Sequence, residues 1–143
     1  MIYVTRSVKP LLELKKKALL SNKRQLPHNF RLGRAGEQQA ADYLTQKGYQ
    51  VLATNFRFKK GELDLVAWDP ELQELVFVEV KTRETNFYGH PSRAVDRAKL
   101  RSMQYTAAVF RRKHRLDKDY RFDIITVLPG KTEHFKNITW GRK

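Results

Sequence analysis

The chain has 143 residues, 41% of them apolar, which suits one domain, since a chain of roughly 150 residues buries about 68–70% of its unfolded surface. There is no cysteine, so disulfides and cysteine-based zinc sites are excluded and a reducing cytoplasm is the expected setting. No apolar run approaches the roughly 20 residues of a membrane span, and the opening Met1–Arg6 lacks the long apolar core of a signal peptide. Twenty-nine Lys and Arg against 15 Asp and Glu leave a net charge of +14, which favours a polyanionic partner, nucleic acid, over charge that serves solubility alone.

Residues 1–34 hold nine basic residues and one acid, Glu13, so +8 of the charge sits there. Residues 1–30 read as a basic, flexible tail, and residues 31–143 as the domain. Within the tail, Leu11–Leu20 has the pattern of a short basic amphipathic helix after Pro10, with a lipid-surface role as the weaker reading; Ser21–Phe30, with Pro27, reads as a polar linker. Gly33–Lys47 is the first expected helix of the body, stopped by Gly48. Tyr49–Phe58 alternates as a strand, Lys59–Gly61 turns, Glu62–Trp68 is a second strand, Asp69–Glu71 turns, and Leu75–Lys81 is a third; the short connections imply an antiparallel meander. Residues 82–92 form a loop, and Arg93–Lys113 a second helix with Val95, Ala98, Tyr105 and Val109 at helical spacing. Tyr120–Leu128 is a fourth strand, Pro129–Gly130 a turn, and Phe135–Trp140 a short fifth strand.

The third strand, Leu75-Val76-Phe77-Val78-Glu79-Val80-Lys81, is apolar except for Glu79 and Lys81, which share a face. Charges in a central strand are costly unless they are paired or hold a metal, so the alternatives are a strand-end salt bridge and a reactive site. In the second strand Asp64 interrupts another apolar run, and antiparallel pairing of strands about 4.8 Å apart can set it beside Glu79. Two carboxylates so placed suit a hard cation such as Mg²⁺. Glu62 has the same parity as Asp64 and is balanced between site and exposed turn. Glu37 lies on the apolar stripe of Ala40, Ala41 and Leu44, facing the sheet, and offers a third carboxylate. Lys99, four residues after Val95, borders the buried face of the second helix and is a candidate to approach a nucleic-acid phosphate, with an exposed lysine as the stronger alternative. Arg111, Arg112 and Lys113 end that helix, where cations suit the dipole and could also grip a phosphate. Asp123 is read first as the partner of a nearby Arg. The four histidines lack zinc-ligand spacing, and no phosphate-cradling glycine loop is present.

Asp64 followed by Glu79-Val80-Lys81 on the next strand resembles the PD-(D/E)xK nuclease signature, and Gly36-Glu37 resembles the first-helix Glu of its Holliday-junction-resolvase branch. Together with Gly33-Arg34-Ala35-Gly36-Glu37, Gly61-Glu62-Leu63-Asp64-Leu65 and Arg121-Phe122-Asp123, these stretches resemble the YraN-like family of uncharacterised bacterial proteins over about residues 31–128. The resemblance implies an α/β restriction-endonuclease-like core with a mixed sheet, and metal-dependent hydrolysis of phosphodiester bonds in nucleic acid, DNA before RNA. It assigns Asp64, Glu79 and Lys81 the catalytic roles, and Glu37, Asp64, Glu79 and the Val80 carbonyl to Mg²⁺ or Mn²⁺. Leu63 stands where that signature often has Pro, a backbone-shaping position that ligates nothing. A junction resolvase would need two sites and hence a homodimer. The rival readings are a nucleic-acid-binding module without turnover and a protein-interaction scaffold on the same fold.

Overall fold

A computed structural model of the chain describes residues 28–84 and 95–139. The amphipathic stretch expected over 11–20 and most of the 82–92 loop lie outside the described residues. Helix α1 is His28–Gln46, and three antiparallel strands follow: β1 Gln50–Phe58, β2 Gly61–Asp69 and β3 Glu74–Thr82. Helix α2, Arg97–Lys113, crosses to β4, Tyr120–Leu128, which runs parallel to β3 before β5, Lys131–Phe135, turns back beside it. The sheet order is β1-β2-β3-β4-β5, mixed by the single parallel pair. This is the α/β layout expected of the sequence.

The two helices cover opposite faces. Ala40, Ala41 and Leu44 of α1 pack on Leu65, Ala67, Val76, Val78, Ile125 and Val127. Met103, Ala107 and Phe110 of α2 pack on Trp68, Leu75, Phe77, Phe122 and Ile124. β3 is therefore buried on both sides, which is why its sequence is nearly continuous in apolar residues. Two close approaches set the helices on the sheet. A Cβ at Gly36 of α1 would run into the Thr82 hydroxyl, and one at Gly61 of β2 into the Thr106 hydroxyl of α2, which donates to the Ser102 carbonyl at 2.8 Å.

Several boundaries differ from the sequence expectation. The described part of α1 already starts at His28, so the last residues assigned to a linker are helical. Gly48, at φ 92°, closes α1, and the Tyr49 amide donates to the Leu44 carbonyl at 2.9 Å. α2 starts at Arg97 rather than Arg93, because the Asp96 carboxylate caps it by accepting from the Lys99 amide at 2.7 Å. The fifth strand is Lys131–Phe135 and not Phe135–Trp140. Pro129 and Gly130, with Gly130 at φ 68°, form a two-residue turn that feeds Lys131 into pairing with Leu128. Among the described residues no helix is long and apolar enough to cross a membrane.

Candidate metal centre

The ladder between β2 and β3 runs from Asp69↔Glu74 to Leu65↔Val78 and then stops. One step further, the Asp64 side chain replaces the missing backbone partner: its Oδ2 accepts from the Val80 amide at 2.8 Å. The β1 ladder skips the same level. Thr54↔Leu65 and Phe56↔Leu63 pair, while Asn55, opposite Asp64, sits at φ 52°. The alternation of β2 also changes phase here, since Leu65 and Ala67 face α1 whereas Leu63 packs in the α2 layer. Strict parity, the basis for grouping Glu62 with Asp64, does not carry through this break. The sheet opens at Asp64, and a carboxylate occupies the opening.

Glu79 is next to it, its side chain only 6% exposed, held by Lys81 Nζ at 3.1 Å on Oε1 and by Lys99 Nζ at 3.4 Å on Oε2. Burial and the neighbouring Glu79 charge push the Asp64 carboxyl up to about 7, against the lowering effect of the Val80 amide. Glu37 reaches the same group from α1. Burial raises its pKa, a hydrogen bond from the Asn55 side chain opposes the rise, and the Glu62 charge adds to it. Glu37 Oε2 is buried without a hydrogen bond, while Glu79 Oε2 has the Lys99 ammonium at 3.4 Å. A buried oxygen without a donor is costly, and a cation is one group that would satisfy it. As the side chains stand, no group of three or more His, Asp or Glu among the described residues is disposed to hold a metal ion. The donor set is all oxygen, suited to a hard cation, with Asp64 and Glu79 as its nucleus.

Asp64, Glu79, Lys81, Glu37 and Lys99 thus come together. Glu62 stands at the edge of the group: its charge raises the Glu37 and Asp64 pKa values, while its side chain forms an exposed ion pair with Arg57 at 3.1 Å. Arg111, Arg112 and Lys113 are not brought to the carboxylates. They stand at the far end of α2 from Lys99, 12 residues and roughly 18 Å along the axis for Arg111. Arg111 stacks on Tyr120 at 4.2 Å and donates to the Lys118 carbonyl at 3.4 Å, and the Lys113 ammonium lies 5.7 Å from the Phe56 ring centroid. Asn55 was missed in the sequence; the available signal was an amide residue, a poor strand former, inside an otherwise regular strand pattern.

A family model described as "Uncharacterised protein family UPF0102" matches residues 36–127. The chain belongs to this family. Similar UPF0102 proteins include one from Symbiobacterium thermophilum, 47% identical over 103 residues covering 70% of this chain and 84% of that protein. One from Pelobacter propionicus is 46% identical over 103 residues (71% and 74% covered), and one from Renibacterium salmoninarum 43% over 98 residues (68% and 81%). Glu37, Asn55, Asp64, Glu79, Lys81 and Lys99 all fall within the matched span of this UPF0102 chain.

A second polar cluster, most of it within the same span, lies at the opposite end of the sheet. Arg121, 5% exposed, donates from Nη1 to Asp69 at 2.8 Å and Glu74 at 2.7 Å, from Nε to Asp123 at 3.0 Å, and from Nη2 to the Tyr49 hydroxyl at 3.1 Å. His134 Nε2 lies 2.7 Å from Asp123, which also accepts from the Asn137 amide at 2.8 Å. Burial works against the Arg121 charge, but the bonds to Asp123, Asp69 and Glu74 outweigh it and hold the guanidinium above its ordinary range. Asp123 therefore pairs with a nearby Arg, as its position suggested. Through Arg121 this cluster ties the end of β2 and the starts of β3 and β4 into one unit in the UPF0102 fold.

Proposed function

We propose that this protein hydrolyses phosphodiester bonds in nucleic acid, DNA in the first instance, with a divalent cation. The observation that carries the reading is the Asp64 carboxylate set in the opening between β2 and β3, beside Glu79 and Lys81, with its pKa raised to about 7 by burial and by Glu79. Two buried carboxylates that repel each other, with Lys81 alongside, serve no packing purpose that apolar residues would not serve better. Asp64 and Glu79 would hold Mg²⁺ or Mn²⁺, with Glu37 and the Val80 carbonyl as further ligands. When bound, such an ion supplies polarisation of the scissile phosphate and acidifies a coordinated water.

The protein's own groups do the rest. Asp64 delivers its charge above about pH 7. Lys81 offers an ammonium that orients water or balances charge developing on the phosphate. Lys99, from the other layer, adds a second cation beside Glu79.

The test is a cleavage panel with Mg²⁺ and Mn²⁺ on duplex, single-stranded, flapped and branched DNA and on RNA. Asp64→Asn and Lys81→Ala should each reduce cleavage at least about a hundredfold. Absence of cleavage across the panel, or cleavage undiminished in both variants, would end the enzyme reading. One observation favours the second reading, a nucleic-acid-binding module without turnover: Glu79 is already paired with two lysines, and no three-donor group stands ready. That module would show no metal-dependent cleavage, and its affinity would be governed by surface Arg and Lys.

A further inference from the structure

The outer face of α2 carries a stripe that the carboxylate site does not use. Arg101, Tyr105, Ala108 and Arg112 fall at i, i+4, i+7 and i+11, and all four are exposed. Tyr105 is 54% exposed, one of three large hydrophobic side chains so placed among the described residues. Its ring rests against Phe58, with centroids 6.1 Å apart and planes tilted by 43°, and Lys59 Nζ lies 5.5 Å from the centre of the Phe58 ring. Gly61 is pressed against Thr106, the next residue of α2, so the exposed tip Lys59–Lys60 of the β1–β2 hairpin lies alongside the same turn. The result is an open aromatic ring, supported by a second ring and set among Arg101, Arg112, Lys59 and Lys60.

We propose that this stripe is the docking track for an unpaired nucleic-acid strand, with one base stacked on Tyr105 and the neighbouring phosphates held by Arg101, Arg112 and the Lys59–Lys60 tip. The inference rests on the nucleic-acid reading above and narrows its substrate class to nucleic acid with a single-stranded segment. The chemistry decides between occupants. A polyanion answers the four cations. Only an unpaired base has a face free for the ring, because a duplex presents phosphates and base edges. A base stacked on an aromatic side chain gains binding without sequence preference. Tyr105 is six residues from Lys99, roughly 9 Å along the helix axis and about 120° around it, and Lys99 Nζ lies 3.4 Å from Glu79, so a strand on the track would have to wrap partway round α2 to reach the carboxylates.

The experiment is metal-free binding of the full chain, followed by fluorescence anisotropy, to a labelled single strand and to a duplex of the same sequence over a salt series. Tyr105→Ala should weaken single-strand binding about tenfold and leave duplex binding in place, while Tyr105→Phe stays within about twofold of the parent. Changing Lys59 and Lys60 together to Gln should weaken both complexes and flatten the salt dependence. The proposal is overturned if Tyr105→Ala binds the single strand as the parent does, or if strand and duplex weaken equally. It is also overturned if sedimentation shows a self-association of the parent that Tyr105→Ala dissolves, which would make the stripe an interface between copies. Cleavage that depends on Asp64 but ignores Tyr105 would remove this track and leave the nuclease standing. A parent that binds no oligonucleotide even at low salt removes both.

Discussion

Asp64 is kept where its charge is least welcome, and this should be visible in stability. Its folded pKa is about 7, raised from an ordinary 3.8 by burial and Glu79. Between those values the folded protein holds a proton that the unfolded chain has released, so stability falls as pH rises from about 4 to about 7 and then levels. Asp64→Asn should therefore melt higher than the parent at pH 8, by the equivalent of roughly 1 kcal/mol or more, with the difference vanishing near pH 4. Chemical denaturation at both pH values measures it. Asn55 makes a different demand. At φ 52° it occupies backbone space that asparagine tolerates and alanine does not, and its side chain bonds Glu37. Asn55→Ala should cost about 1 kcal/mol more than Asn55→Gly, yet both should weaken Mn²⁺ binding alike, read by calorimetry. Asp64, Glu79, Lys81 and Glu37 were legible in the sequence because each interrupts an apolar pattern that burial otherwise requires. Asn55 was not, because a left-handed residue leaves no trace in hydrophobic periodicity.

The helices and strands of the body were legible for the same reason of pattern, and the misread ones show its limits. The sequence pattern puts a fifth strand at Phe135–Trp140, but the hairpin turn at Pro129–Gly130 places it on Lys131–Phe135, a polar edge. Turn geometry overrode hydrophobicity. The start of α2 was misplaced because Val95 fits the helical stripe, although Asp96 is the better stop signal read from the other side. How α2 sits on the sheet depends on Gly61. Thr106 is held by its bond to Ser102 and cannot swing away, so Gly61→Ala should destabilise by about 1–3 kcal/mol. Removing the hydroxyl and methyl as well, in Gly61→Ala with Thr106→Ala, should restore part of the loss, a coupling that a double-mutant cycle in urea would register.

At the scale of the whole molecule, the Arg121 cluster holds together strand ends that the carboxylate opening leaves apart at the other end. Removing Arg121 strands Asp69, Glu74 and Asp123 with their charges, so Arg121→Met should cost about 3–5 kcal/mol near neutral pH. Burial tends to raise the Asp69 pKa, but the Arg121 hydrogen bond and the Leu72 and Glu71 amides hold it below its ordinary 3.8. The stability it contributes is thus fully present above that value and lost as pH falls through the folded one. In Arg121→Met the sign reverses: the carboxylates take up protons more readily, and the variant should regain part of its deficit as pH falls toward 4, measured by denaturation across that range. Charge is distributed at this scale too. Residues 1–27 hold seven basic residues and Glu13, +6 in all. A chain starting at His28 should keep its melting transition and bind nucleic acid with a flatter salt dependence. Loss of the transition would make the tail part of the folded unit.

The parallel pairing of β3 with β4 has a kinetic consequence. Leu75 meets Tyr120 at a separation of 45 positions along the chain, whereas β1, β2 and β3 meet through turns of a few residues. Short loops close first, because a long one carries a larger entropic penalty before any contact rewards it. The meander that assembles early is also the part that sets Asp64 against Glu79, and at that stage Lys99, which lies on the crossover helix, has not arrived. The nascent sheet therefore carries the Asp64–Glu79 repulsion relieved by Lys81 alone until the last layer brings Lys99, and refolding should quicken as pH falls and Asp64 takes up its proton.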